Sequence, residues 1–469
     1  MIYLKRFFFL LSILLCSSFT VDTQKPNVVF ILVDDLGWTD LSSYGSTFYE
    51  TPNVDFLANN GVKFTNAYAA SNVCSPTRAS IITGNYPARL DLTDFIPGKT
   101  EPNSKLHPPK WTKFLDATNN SIAKIFKKSG YTTAHIGKWH LGEDEKNWPE
   151  NHGFDLNIGG WSLGQPIKNK KKNTNGYFAP YGNPKLMDGE VGEFLTKRLT
   201  NEAKQFIKNN QSKPFFLNLW FYSVHTPLQA EKDKIEKYQH KNNPSKHHKN
   251  PTYAAMVAHM DDAIGEIIKT LQDLQLDKNT IVVFTSDNGG LIGNHKRFTE
   301  KVTSNYPLKS GKGDVYEGGV RVPAIVYCPS KIKPKVEETP IMSIDFLPTL
   351  IDLSNIKNSN KSNFDGISLA DVLLKNKKGK ERALYWHYPH YHTEGAKPYS
   401  AVRFKNFKLI HHLETDKLEL FDLENDIEEN INLADKKPKT TVKLFKMLNQ
   451  WKQDVNAQKP IKNKNYIQK

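Results

Sequence analysis

The chain has few cysteines. There are three in 469 residues, Cys16, Cys74 and Cys328, and they lie far apart in sequence. A disulfide framework is therefore excluded, and each thiol is open to chemistry rather than bracing. Cys328 sits in the apolar stretch VPAIVYCPS and reads as an inert strand residue. Long hydrophobic runs are also lacking. Beyond the first twenty residues nothing approaches the roughly 20 apolar residues that a membrane helix needs. Acidic residues are in deficit, 49 Asp and Glu against 64 Lys and Arg, which leaves a net charge of +15. That excess points to an anionic partner, or simply to lysine written onto every solvated surface. No nucleic-acid recognition motif accompanies it, so no nucleic-acid partner is expected.

The amino terminus differs from the rest. Lys5 and Arg6 precede an apolar run at 7–15, and small polar residues follow. This is the order of a secretory signal peptide, too short to span a bilayer. Residues 1–22 are expected to be such a signal, sending the protein to the periplasm or the extracellular space. Lipid anchoring through Cys16 is disfavoured by the bulky Leu15 before it.

The remainder alternates between two patterns. Short apolar runs at 27–33, 132–136, 215–221, 280–285 and 322–327 read as strands buried on both faces, which suits a mostly parallel sheet. Helical patterns at 121–129, 196–208 and 253–274 lie between them. The alternation predicts an α/β sandwich over 23–380. The segments 168–176, 229–251 and 357–363 are polar and read as surface loops. From about residue 381 the pattern changes to strand-like pieces (383–388, 399–403, 407–411, 419–422) and one helix (440–455). This predicts a small C-terminal α+β domain with an antiparallel sheet over 381–469, ending in a frayed tail from 458.

Chemistry concentrates where the buried strands end. NVVFILV runs into Asp34-Asp35, and TIVVFTS into Asp287-Asn288. TTAHI runs into Gly137-Lys138-Trp139-His140, and FFLNLWFYSV into His225. In open α/β sheets ligands bind beyond the carboxyl ends of the strands. Asp34, Asp35, Asp287 and Asn288 offer only oxygen, which suits a hard cation such as calcium or magnesium; for a single Asp, a loop cap would explain as much. Cys74-Ser-Pro76-Thr-Arg78, with Gly84 beyond, reads as a helix with Cys74 at its amino end, where backbone N–H groups favour an anion. The bland alternative is a half-buried thiol beside a surface arginine.

These residues resemble the type I sulfatases, the formylglycine-dependent branch of the alkaline-phosphatase-like superfamily. Cys74-Ser75-Pro76-Thr77-Arg78 matches their C-x-P-x-R signature, in which a maturing enzyme converts the cysteine to formylglycine (3-oxoalanine). PNVVFILVDDLGW, GYTTAHIGKWHLG, TSDNGG, GKGDVYEGGVRVPAIV and the C-terminal YSAVRFKNFKLI and LELFDLENDIEENINLA agree in order. The resemblance covers nearly the whole mature chain and extends to bacterial polysaccharide sulfatases. It implies Ca2+, with Mg2+ as the alternative, held by Asp34, Asp35, Asp287, Asn288 and the modified Cys74. It places Arg78, Lys138, His140, His225 and Lys312 around the sulfate. Lys312 is preferred to Lys309 because it lies within Gly311-Lys312-Gly313. Ser162 in GGWSLGQP is matched to a further sulfate contact. His387, His390 and His392 in YWHYPHYH either line a sugar pocket or pack at the domain junction. The implied partners are a sulfated polysaccharide or oligosaccharide, ulvan or carrageenan in type, and a formylglycine-generating maturase. The alternatives are a phosphate or phosphonate monoester hydrolase of the same superfamily and a catalytically silent glycan binder.

Overall fold

The computed structural model describes residues 25–99, 103–294, 298–357 and 364–467. The expected signal at 1–22, Cys16 and most of the expected loop 357–363 lie outside these residues. Among the described residues no helix is long and apolar enough to cross a membrane.

A nine-stranded mixed sheet forms the centre. In chain order its main strands are β1 (Asn27–Val33), β2 (Val62–Tyr68), β3 (Thr132–Gly137), β4 (Leu156–Ile158), β5 (Phe215–Trp220), β6 (Thr280–Ser286), β7 (Arg321–Tyr327) and β8 (Lys335–Glu337). Their order across the sheet is β8-β2-β7-β6-β1-β5-β3-β4, and the short segment Ile341–Met342 also pairs with β2. Strands β6, β1, β5, β3 and β4 are mutually parallel, and only β7 runs against its neighbours.

The unbroken apolarity of β1 follows from its position. Val29, Ile31 and Val33 face one core, while Val28, Phe30 and Leu32 face the other. The first core is closed by helices α1 (Pro52–Asn60), α4 (Leu195–Asn209) and α6 (Pro251–Asp273), and the second by α2 (Cys74–Thr83), α3 (Ile122–Lys128) and α7 (Phe346–Leu353). A strand covered on both sides has no solvent face on which to place polar residues.

After the central sheet the chain builds a four-stranded antiparallel sheet, β9 (Leu384–Tyr388), β10 (Tyr399–Phe404), β11 (Phe407–His412) and β12 (Lys417–Asp422), with helix α8 (Pro438–Asp454) packed on it. Its core is shared. Leu384, Trp386, Leu409 and Leu448 join Tyr68, Val73, Val315 and Met342 of the preceding part in one apolar cluster.

Three loop expectations need correction. The insertion 229–251 contains helix α5 (Lys232–Gln239), whose Tyr238 is buried in the first core. The segment 168–176 forms a small hairpin, Lys168–Asn169 against Thr174–Asn175. The tail is not frayed throughout. Ile461–Lys462 pairs antiparallel with Leu106–His107, and the Asn463 amide donates to the Lys105 carbonyl at 2.9 Å. Two-residue strands carry no periodicity, so the apolar pattern could not announce them.

The second core encloses two histidines. His135 lies among the edges of Trp139, Phe154 and Trp220, and His152 lies beside Trp139. Burial, reinforced by Arg78, lowers His135 from 6.5 to about 3; burial and Lys124 lower His152 to about 4. Both imidazoles are neutral in the fold, whereas the unfolded chain takes up protons below 6.5. Their contribution is therefore complete above that pH and is lost as pH falls towards 4, by up to about 1.4 kcal/mol per histidine per pH unit. The melting temperature is expected to fall between pH 6.5 and 4, and less steeply in His152→Gln. An equal slope in that variant would remove His152 from the account.

Candidate active site

Four strands deliver the site from one edge of the sheet. Asp34 and Asp35 follow β1, Asp287 and Asn288 follow β6, Lys138 follows β3 and His225 follows β5. Backbone bonds fix these exits against one another: Asp287 N donates to Val33 O at 3.2 Å, Asp34 N to Ser223 O at 2.9 Å and Lys138 N to Trp220 O at 2.8 Å. Helix α2 adds Cys74 at its first position and Arg78 one turn on. All ten of its residues are buried, and Gly84 ends it in the left-handed conformation at φ 72°.

Three carboxylates meet three cations out of solvent. Arg78 Nε donates to Asp287 Oδ2 at 2.8 Å and its Nη1 to the Lys138 carbonyl at 3.0 Å. The guanidinium lies over the Trp220 ring, 5.3 Å from its centroid. Lys138 Nζ reaches Asp34 Oδ2 at 2.6 Å, and Lys312 Nζ reaches the two Asp35 oxygens at 2.7 and 2.8 Å. At Asp34 burial dominates and pushes the carboxyl up despite Lys138 and Arg78. At Asp35 burial acts the same way, but Lys312, His225 and Lys138 outweigh it and hold the group well below the usual carboxylate range. Arg78 and Lys138 likewise overcome burial at Asp287.

The donor set fits a hard cation. Among the described residues, Asp34 Oδ1 and Asn288 Oδ1 are buried without a hydrogen-bond partner. Atoms of Asp34, Asp35 and His225 lie within 4.8 Å of one another. His225 gives its Nδ1 proton to the Thr226 carbonyl at 2.8 Å, since a carbonyl only accepts. Its bare Nε2 then faces Asp35 Oδ2 at 3.6 Å. Lys312 already brings positive charge to that oxygen, and a metal ion entering between the two acceptors would share it. Burial, aided by Lys312, lowers His225 to about 3, so its Nε2 is bare at neutral pH.

His140 is set differently. Its Nε2 donates to the Ile96 carbonyl at 2.5 Å, and Nδ1 lies 3.3 Å from Cys74 Sγ. Nδ1 is thus the acceptor facing residue 74. Burial and then Lys138 push this imidazole well below its ordinary value. The ring lies flat on Gly164, where an added Cβ would sit 2.3 Å from Cε1. Asp35 and His140 both hold left-handed backbones, at φ 61° and 60°. Strain of that kind is retained where the surroundings over-determine it, as at active sites.

A cavity of about 600 Å³ opens above Cys74, His140, His225 and Lys312, with Ser162 on its wall. Of the other expected site residues, Arg78 and Lys138 lie fully buried among the same carboxylates. Lys309, the alternative to Lys312, points elsewhere, donating to the Glu429 carbonyl at 3.0 Å.

The expected pocket histidines His387 and His390 need correction. His387 bonds Ser400 Oγ at 2.8 Å and the Gln458 carbonyl at 2.7 Å, and His390 bonds Thr93 Oγ1 at 2.8 Å. His387 packs within the second sheet against the C-terminal segment, His390 packs against the segment after α2, and neither lines the cavity. His392 does, with its ring against Gly313, where an added Cβ would meet Nδ1 at 2.0 Å. Two residues apart on an extended segment share a face, but the chain leaves β9 at Tyr388, and beyond it that rule no longer orders the three histidines. Phe95, Glu143 and Glu394 also line the cavity. Glu394 was signalled only by its closeness to His392, and nothing in the sequence singles out Phe95 or Glu143.

The family model for sulfatases matches residues 26–356. The chain belongs to the sulfatase family. Residues 311–457 also match the C-terminal model of N-sulphoglucosamine sulphohydrolase. A sulfatase of Formosa agariphila is 32% identical over 92% of this chain and 88% of its own length. The N-acetylgalactosamine-6-O-sulfatase of Bacteroides thetaiotaomicron is 31% identical over 71% of this chain and 73% of its own. Among solved structures, Ps i-CgsB in complex with k-i-k-neocarrahexaose superposes with a TM-score of 0.77 at 28% identity, covering 94% of this chain and 96% of that one. This sulfatase therefore has the alkaline-phosphatase-like fold, with its acidic pairs and Cys74 at the carboxyl edge of the sheet.

Millimolar calcium or magnesium chloride is expected to raise the melting temperature by a few degrees, and a chelator to reverse it. Saturation at a hundredfold excess over Kd is worth about 2.7 kcal/mol. In Asp35→Asn the gain is expected to shrink at the same metal concentration. A wild-type melting curve indifferent to both ions would contradict the cation site.

Proposed function

We propose that this sulfatase removes sulfate from a sulfated carbohydrate, an algal polysaccharide of carrageenan or ulvan type or its oligosaccharides, through formylglycine made from Cys74. The observation that carries the reading is the placement of Cys74. It stands at the start of α2, within 3.3 Å of His140 Nδ1, on the floor of a cavity that also presents Lys312 and His225. The oxygens of the matured residue, bonded to Cβ, would take the place of the Cys74 sulfur. Matured and hydrated, residue 74 supplies one hydroxyl to attack the ester sulfur and a second whose deprotonation expels sulfate as the aldehyde re-forms. Asp34, Asp35, Asp287 and Asn288 would hold calcium, which supplies Lewis acidity that makes a neighbouring hydroxyl easier to deprotonate.

The remaining work falls to side chains. His140 Nδ1, neutral and aimed at residue 74, takes a proton from that residue. Lys312 and the buried Arg78 and Lys138 offset the charge that grows on the sulfuryl oxygens. His225 serves the departing alcohol. It is neutral before substrate arrives, and an anionic ester beside it raises its proton affinity. The carbohydrate assignment draws on the relatives, one an N-acetylgalactosamine-6-O-sulfatase and one a structure that holds neocarrahexaose. Export, and a maturase that acts on the exported chain's precursor, complete the reading.

Co-expression with a formylglycine-generating enzyme should give sulfate release from a sulfated oligosaccharide. Cys74→Ala and Cys74→Ser should each lose it by at least about a thousandfold, and Lys312→Ala by roughly a hundredfold. Near-normal turnover in Cys74→Ala ends the formylglycine reading. Preferential release of phosphate from a matched monoester would reassign the enzyme within its superfamily.

A further inference from the structure

The cavity is lined by Lys312 and by two carboxylates. Glu394 and Glu143 both line it, Glu394 from the segment that follows β9 and Glu143 from the one that follows β3. Glu394 is fixed in place. It belongs to a tight turn closed by His392 N to Ala396 O at 2.9 Å and Gly395 N to His392 O at 3.0 Å. Its own amide donates to His392 Nδ1 at 3.3 Å, and its Oε2 accepts from the Asn294 amide at 2.7 Å. The other oxygen, Oε1, is buried without a hydrogen-bond partner among the described residues. A carboxylate oxygen only accepts, and leaving it unpaired out of water is costly. The carboxylate as a whole stands as an acceptor on the cavity wall.

We propose that Glu394, with Glu143, restricts the site to a sulfate ester on an otherwise uncharged sugar ring. The ester sulfate goes to Lys312 while the Glu394 and Glu143 carboxylates line the cavity around the rest of the ring. A second sulfate or a uronate carboxylate on that ring brings an acceptor with no hydrogen towards two carboxylates of the same sign. Such a group is rejected by like-charge repulsion, which a ring bearing only hydroxyls does not meet. The selector comes from the segment beyond β9 and the chemistry from the central sheet, so substrate choice can change without disturbing the reacting groups. The inference rests on the sulfatase reading above and narrows its substrate class to neutral sulfated sugars.

The test is kinetic and uses the matured full chain. Two sulfated disaccharides are compared that differ only in a second sulfate, or a uronate carboxylate, on the sulfated ring. The wild type is expected to favour the singly charged one in kcat/KM by at least about tenfold. Glu394→Gln keeps the shape of the side chain and the acceptor for Asn294, so it is expected to fold. In it the preference should fall at least fivefold, through a lower KM for the doubly charged substrate. Equal kcat/KM for both substrates in the wild type, or an unchanged ratio in Glu394→Gln, overturns this inference and leaves the sulfatase reading standing. No sulfate from either substrate or from an aryl sulfate, with the aldehyde at residue 74 verified by peptide mass, overturns the sulfatase reading and this inference with it.

Discussion

The site depends on charge balance in a place without water. Asp34, Asp35 and Asp287 are each buried, and each is met by a buried or nearly buried cation, Lys138, Lys312 or Arg78. Removing one partner from such an arrangement leaves an uncompensated charge and costs about 3–5 kcal/mol. Replacing the set with apolar residues would cost less, so stability does not account for its presence. The arrangement is explained by what it can receive. The proposed divalent cation would enter among the carboxylates, and the positive charge of the lysines would then become available to an anion.

The segment carrying Lys312 is held from behind. Gly318 N donates to Lys309 O and Gly289 N to Gly319 O, both at 2.9 Å, which ties this segment to the turn after β6. Glu317, next to these glycines, pairs with Lys408 of β11 at 2.8 Å, and Lys408 also pairs with Glu429 at 3.0 Å. Tyr68 of β2 gives its hydroxyl to the same Glu317 at 2.7 Å. The second sheet is therefore bolted to the site by ions as well as by the shared apolar core. It also lends His392 and Glu394 to the cavity.

Much of this was legible because buried parallel strands leave an unambiguous mark. Each apolar run ended within a residue or two of its strand, and polar residues directly after a run fell at one edge of the sheet. Cys74 and Arg78 could be read from Pro76 and Gly84, which fix the ends of α2. What escaped had no period to betray it. The pairing of Ile461–Lys462 with Leu106–His107 joins segments far apart in the chain, and two residues cannot display alternation. Helix α5 was hidden by its charge, with Tyr238 as its single buried residue. His387, His390 and His392 are alike in a string of letters. Only the route of the chain after β9 separates two packing residues from one that lines the cavity.

The burial of α2 carries a consequence for time rather than energy. Cys74 is 3% exposed and every residue of its helix is covered. Under the proposed maturation, an enzyme that must grasp this segment as an extended peptide could act only before the chain folds around it. Activation then becomes a race between two rates. A chain that folds first would keep its thiol, and it would differ from its active sister by one atom group at the cavity wall. A purified sample can thus be uniformly folded and only partly alive, with the living fraction recording how slowly the protein folded when it was made.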